Sequence, residues 1–138
     1  MRFMIMVPAS KESEAGVLPD KKIFAEMGKF NEELVKAGVM LAAEGLHASA
    51  KGKRVRFEGA KRTVIDGPFA ETKELIAGYT LIQAKSREEA MEWTKRFPNP
   101  AMGGKEGEIE VRQLFELDDF GPSEAVERFR DMGVGAKK

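Results

Sequence analysis

The hexapeptide RFMIMV, Arg2 to Val7, constrains the fold more than any other stretch, because after Arg2 it is apolar at odd and even positions alike. Side chains of a strand alternate between two faces, so a strand apolar on both sides wants cover on both. Such a strand belongs in the middle of a sheet or against a second layer. The run is too short for a secretory h-region and far too short to span a bilayer, and the reading expects a cytoplasmic protein.

The spacing then changes. Ile23, Met27, Phe30, Leu34 and Ala37 recur at alternating intervals of four and three, the stripe of an amphipathic helix that Pro19 and Asp20 open and Gly38 closes. VMLAAEGL reads as a second strand ending near His47, and HASAKGK as a loop. Val55 and Phe57 alternate with Arg54, Arg56 and Glu58, and cross a Gly59-Ala60 turn into KRTVID, which predicts a β-hairpin. AGYTLIQAK is a further strand. Ser86 and Glu89 then form a capping box for a helix carrying Ala90, Trp93 and Phe97 on one face, stopped by Pro98. EIEVRQLFEL is the last strand. Pro122 and Ser123 open a short helix over about 122–132, with Ala125, Phe129 and Met132 on one stripe, and the tail to 138 is expected to fray.

At 138 residues, with no linker, this reads as one domain over 1–138, long enough to need no disulfide. Setting the hairpin aside leaves strand, helix, strand, strand, helix, strand, the ferredoxin-like split βαβ order of an α+β fold. Its helices cover one sheet face. Met4, Met6, Leu41, Ala43 and Ile82 supply more apolar surface than one helical layer can bury, so a sheet-to-sheet homodimer is expected. The other arrangement folds the hairpin and the C-terminal helix back over that face.

Several chemistries are disfavoured. Lys and Arg total 23, as do Asp and Glu, so no net field draws the chain to nucleic acid or anionic lipid. The basic cluster Lys51, Lys53, Arg54, Arg56, Lys61 and Arg62 is either a solvated hairpin face or an anion-binding one. The absence of Cys removes thiol chemistry, and a single His excludes His-rich zinc sites. No phosphate loop, GxGxxG turn or GxSxG elbow is present, so no cofactor is expected. Asp118 and Asp119 could hold a hard cation through waters, but such a pair is usually just solvated, and no metal site is assigned.

His47 follows a strand end, where a side chain can project over the sheet, and imidazole exchanges protons near neutrality if a partner orients it. Glu44, Asp66 and Glu71 are candidate partners; the bland alternative is a loop-covering residue. In VIDGPFAETKE, Val64 to Glu74, Asp66 could close an Asx turn, Gly67 supply an unusual φ, Pro68 fix the turn, Phe69 anchor it and Glu71 start a short helical turn. The same charges could instead wall a ligand pocket. Spacing alone leaves both open.

DGPFAETKE, Asp66 to Glu74, resembles the signature of the DGPFAETKE family within the YCII-related proteins. AAEGLHASAKGKRVRF before it, ELIAGYTLIQAKSREEAMEWTKRFPNP after it and EIEVRQLFELDDFG near the end resemble the same family. The resemblance implies a dimeric α+β barrel of ferredoxin-like subunits. It also implies a suspected enzyme with a His-Asp pair in a cleft, in a wider fold that includes muconolactone isomerases and small monooxygenases. Family members often stand beside extracytoplasmic-function sigma factors, which implies a regulatory context. The chain departs from the pattern in having no His near the start of its first long helix, where LPDKKIF offers Asp20 and lysines. Asp66 lies in the matching motif, whereas His47 would have to substitute from another element.

The expected function is therefore a cofactor-independent small-molecule enzyme working by proton transfer in a barrel pocket. His47 would be the shuttle, Asp66 its carboxylate, Arg54 the anchor of an anionic group, and Glu71 and Lys73 the lining. The alternative is a non-catalytic metabolite-binding or regulatory module linked to sigma-factor signalling.

Overall fold

A computed structural model describes residues 1–135. The chain runs β1 (Arg2–Pro8), α1 (Lys11–Glu14), α2 (Lys21–Lys36), β2 (Met40–Gly45), β3 (Lys53–Glu58), β4 (Lys61–Asp66), β5 (Ile76–Gln83), α3 (Arg87–Lys95), β6 (Glu110–Gln113) and α4 (Glu124–Asp131). Short 3₁₀ turns lie at Ser49–Lys51, Thr72–Glu74, Met102–Gly104 and Leu117–Phe120. This is an α+β fold. One sheet has the order β2-β5-β1-β6, a second is the β3-β4 hairpin, and every strand pairing is antiparallel. Among the described residues no sheet closes into a barrel.

β1 does take a central position, between β5 and β6, as its two-faced apolarity requires. Its register with β5 sets Phe3 opposite Ile82 and Ile5 opposite Thr80 on one face, and Met4 opposite Leu81 and Met6 opposite Tyr79 on the other. The first face is the core, where Phe3, Ile5 and Ile82 meet Phe30 and Leu34 of α2 and Ala90 of α3. Ile5, Leu34 and Ile82 are wholly inaccessible to solvent, each contributing about 1.5–3 kcal/mol by leaving water. Phe30 joins the two helices by edge-on contact with Phe97 at 5.3 Å and Trp93 at 6.3 Å between ring centroids.

The caps follow from the sequence. Asp20 accepts the Ile23 N–H at the start of α2, Gly38 takes φ 73° just past its end, and Ser86 accepts the Glu89 N–H at the start of α3. The Glu89 half of that box is shifted by one residue: its carboxylate accepts from the Lys85 N–H.

Three expectations need correction. Ile82 and Ala43 do not add to a second apolar face: Ile82 is in the core, and Ala43, paired with Thr80, is on the same side. A register shift between Met40 and Ala42 breaks the simple alternation along β2. The final strand is only four residues long, because Phe115 is exposed and Glu116 turns into a 3₁₀ segment. α4 starts at its Ser123 cap as expected, but it buries Val126, leaving Phe129 and Met132 exposed. The expected fraying concerns a tail whose last residues, 136–138, lie outside the described ones.

Candidate functional site

The Asp66–Phe69 corner packs against the 3₁₀ turn that follows β2, and Ser49 is the junction. Its backbone N–H donates to Glu14 Oε2 at 2.8 Å and its hydroxyl donates to Glu14 Oε1. The same hydroxyl oxygen accepts the Phe69 N–H at 3.0 Å. One side chain thus ties α1, the 49–51 turn and the acidic corner together. The Ser49 hydroxyl first, and then its N–H, hold the Glu14 carboxyl below its ordinary value, against a smaller opposing effect of burial. Gly67 donates to Gly52 O at 3.0 Å, and a Cβ at this glycine would lie 1.8 Å from the Ser49 carbonyl oxygen. The expected unusual φ is thus corrected: Gly67 does not have positive φ, and close approach of two backbones demands glycine here.

Among the described residues no side-chain hydrogen bond or ion pair joins any of the five residues expected to form the site to another of the five. Asp66, exposed at the end of β4, accepts from Lys53 Nζ at 2.5 Å. His47 is exposed, and no side-chain hydrogen bond orients its ring among the described residues. Arg54 stacks with its guanidinium carbon 3.9 Å from the Phe69 ring centroid, so the planar group expected to hold an anion covers an aromatic face instead. Glu71 sits at the N-cap of the 72–74 turn without a capping bond from its side chain, and Lys73 is exposed within that turn. The cluster of basic groups is partly engaged: besides Lys53 and Arg54, Arg62 stacks on Phe57 and donates to Gly59 O. Asp118 and Asp119 both have partners, Arg130 for the first and the Glu116 N–H for the second. No group of three or more metal-ligating side chains occurs among the described residues, and none of their helices is long and apolar enough to cross a membrane.

A well-formed concavity lies elsewhere. A cleft of about 650 Å³ opens where α1 and α2 face β2, β5 and the end of β1, with the 97–108 segment closing one side. None of the five expected residues lines it. Its apolar wall includes Val7, Val17, Ile23, Phe24, Met27 and Phe97, and the polar residues beside them include Ser10, Asn31 and Thr80. Asn31 stands out because its Oδ1 is buried without a hydrogen-bond partner, a state that costs roughly 1–3 kcal/mol. An apolar wall with few polar groups, in a volume between about 300 and 1,000 Å³, is the usual make-up of a small-molecule site.

The sequence did carry traces of this cleft. Phe24 lies off the Ile23-Met27-Phe30-Leu34 stripe and Val17-Leu18 precede Pro19, so apolar groups stand where no helix face needs them. Phe24 is 73% exposed, on the cleft instead of in the core. Asn31 gave no such signal, since an amide beside the stripe looks solvated in sequence.

Residues 1–118 match the model of the YCII-related domain family. An uncharacterised protein of Rhizobium meliloti (strain 1021) is 30% identical over 95 residues, covering 69% of this chain and 75% of that protein.

Proposed function

The chain belongs to the YCII-related domain family, and on that footing we propose that it binds a small organic molecule with an apolar body in the cleft between α2 and the sheet. The single observation that carries this is the cleft itself: about 650 Å³, walled largely by aliphatic and aromatic groups from β1, α2, β2, β5 and the loops before α2 and after α3. The reading is one of binding and assigns no reaction. His47 and Asp66 remain outside it, since an exposed imidazole and a carboxylate engaged by Lys53 do not make an oriented proton-transfer pair.

The same proposal takes the subunit as ferredoxin-like and half of a homodimer. The β2-β5-β1-β6 order with antiparallel neighbours supports the first part. For the second, Met4, Met6, Tyr79 and Leu81 form a half-buried face that stays outside the helix-side core, and Val55, Phe57 and Val64 of the hairpin are 49%, 67% and 60% exposed. A hairpin standing alone is marginally stable in water, and a second copy of the sheet would cover it.

The test is a thermal-shift screen of small neutral organic compounds against wild type and Ala43→Phe, whose ring would fill the cleft from β2. Compounds that raise the melting temperature of wild type alone support the site. Equal protection of both proteins, or protection of neither, refutes it.

A further inference from the structure

We infer that the cleft takes a flat, uncharged ring that lies on the sheet and whose oxygen accepts from the Thr80 hydroxyl; this rests on the cleft being a ligand site. The floor consists of two cross-strand rows on the helix side of the sheet: Ala43, Thr80 and Ile5, then Gly45, Gly78 and Val7. All of these but Ile5 line the cleft. Among the described residues the buried polar ones are Thr80, 2% exposed, and Thr94, 8% exposed. The Thr94 hydroxyl donates to Ala90 O at 2.7 Å, and those of Ser10, Ser13, Ser49, Ser86 and Ser123 also have partners. The Thr80 hydroxyl has no side-chain hydrogen bond among the described residues. It is not sealed in either. Among the buried and half-buried residues described, only Asn31 Oδ1 is both fully enclosed and without a partner, so the Thr80 hydroxyl keeps an opening, and the space that Thr80 borders is the cleft.

The glycine row gives the ligand its shape. Gly78 has a packing reason to be glycine, since a Cβ there would lie 2.8 Å from Glu44 O. Gly45 has none: a Cβ would meet nothing within 4 Å, and its φ is not positive. A strand loses packing at a glycine, and such a position often marks the close approach of a ligand to the backbone. Gly45 and Gly78 are paired and Ala43 is next to them, so this floor is nearly bare backbone, with Ile23, Phe24 and Met27 of α2 lining the helix side. A flat ring fits such a slot. The floor offers one hydroxyl and no charged side chain, so an ionised head placed on it would lose its water without gaining a counter-charge. A neutral oxygen loses less and gains a hydrogen bond.

The test uses acetophenone, ethylbenzene, cyclohexyl methyl ketone, benzoate and benzylamine, with binding followed at neutral pH by amide chemical shifts of the cleft residues. Acetophenone should bind more tightly than its puckered counterpart, and at least about tenfold more tightly than either ion. Thr80→Val keeps the side chain's shape without the hydroxyl. It should weaken acetophenone about fivefold, leave ethylbenzene, which has no oxygen, unchanged, and keep the urea midpoint at or above that of wild type. Gly45→Val, a good strand former at an open position, should fold and lose the acetophenone shifts. An ion or the puckered ketone binding as tightly as acetophenone, acetophenone affinity untouched by either variant, or a Thr80→Val loss shared by ethylbenzene overturns this account of the floor while the cleft stands as a binding site. No shift of the cleft residues with any of the five takes the cleft reading down as well.

Discussion

Replacing Gly67 with alanine would build a Cβ 1.8 Å from the Ser49 carbonyl oxygen and 2.6 Å from its carbon. Both are backbone atoms, so no flexible side chain can swing aside, and either the 49–52 turn or the Asp66–Phe69 corner must move. Overpacking of this kind costs about 1–3 kcal/mol where the surroundings yield. Moving Ser49 also weakens its bonds with the Glu14 carboxylate and the Phe69 N–H, and a hydrogen bond to a charged group adds about 1.5–3 kcal/mol. The expected loss is therefore about 3–5 kcal/mol, read as a lower urea midpoint using the fluorescence of Trp93, the one tryptophan. Gly28→Ala in α2 is the control. Its Cβ meets nothing within 4 Å and its φ is not positive, so it should stabilise by roughly 0.5–1 kcal/mol. A Gly67→Ala protein within about 0.5 kcal/mol of wild type, where ordinary surface substitutions fall, would refute the close approach.

Three further outcomes are expected. The folded Glu14 carboxyl titrates below its ordinary 4.5, so its stabilisation is fully present above that value and is lost as pH falls through the lowered one; Ser49→Ala should raise the Glu14 titration and move acid unfolding to higher pH. A carboxyl NMR titration unchanged by the substitution would count against the Ser49 junction. Glu116→Gln strips the partner from Arg2 in a 3.0 Å pair whose side chains are only 16% and 14% exposed, and should cost about 2 kcal/mol, between the surface and buried cases; a urea midpoint equal to wild type would contradict it. Sedimentation should give twice the 15.3 kDa chain mass, and Met6→Lys with Leu81→Lys should give the monomer at unchanged helix content; a wild-type monomer at micromolar concentration would rule out pairing through that face.

Local chemistry was legible before any coordinates. The double-sided apolarity of RFMIMV put β1 in mid-sheet, the four-and-three spacing located α2, and Asp20, Ser86 and Ser123 marked helix starts. Each of these depends on a residue's near neighbours in the chain. α1 was missed because four residues give no period to count, although Ser10 and Ser13 cap it reciprocally. Asp66, Arg54 and His47 share chemistry and nearness in sequence, but a sequence does not give a side chain's immediate partner: Lys53 for Asp66, the Phe69 ring for Arg54, and no side-chain bond for the exposed His47 among the described residues.

Short-range patterns suffice for the order of the strands and the longer helices, the helix caps, the hairpin and the centrality of the first strand, because periodicity and capping depend on near neighbours in the chain. Long-range packing is what sets Gly67 against the Ser49 backbone, makes Ser49 a junction of three segments, and opens a cleft under α2 that the motif does not line. Ser49 and Glu14 are 35 residues apart, and Asn31 and the 97–108 segment line one cleft. Such meetings arise from how helices and strands pack in space, which no local pattern encodes.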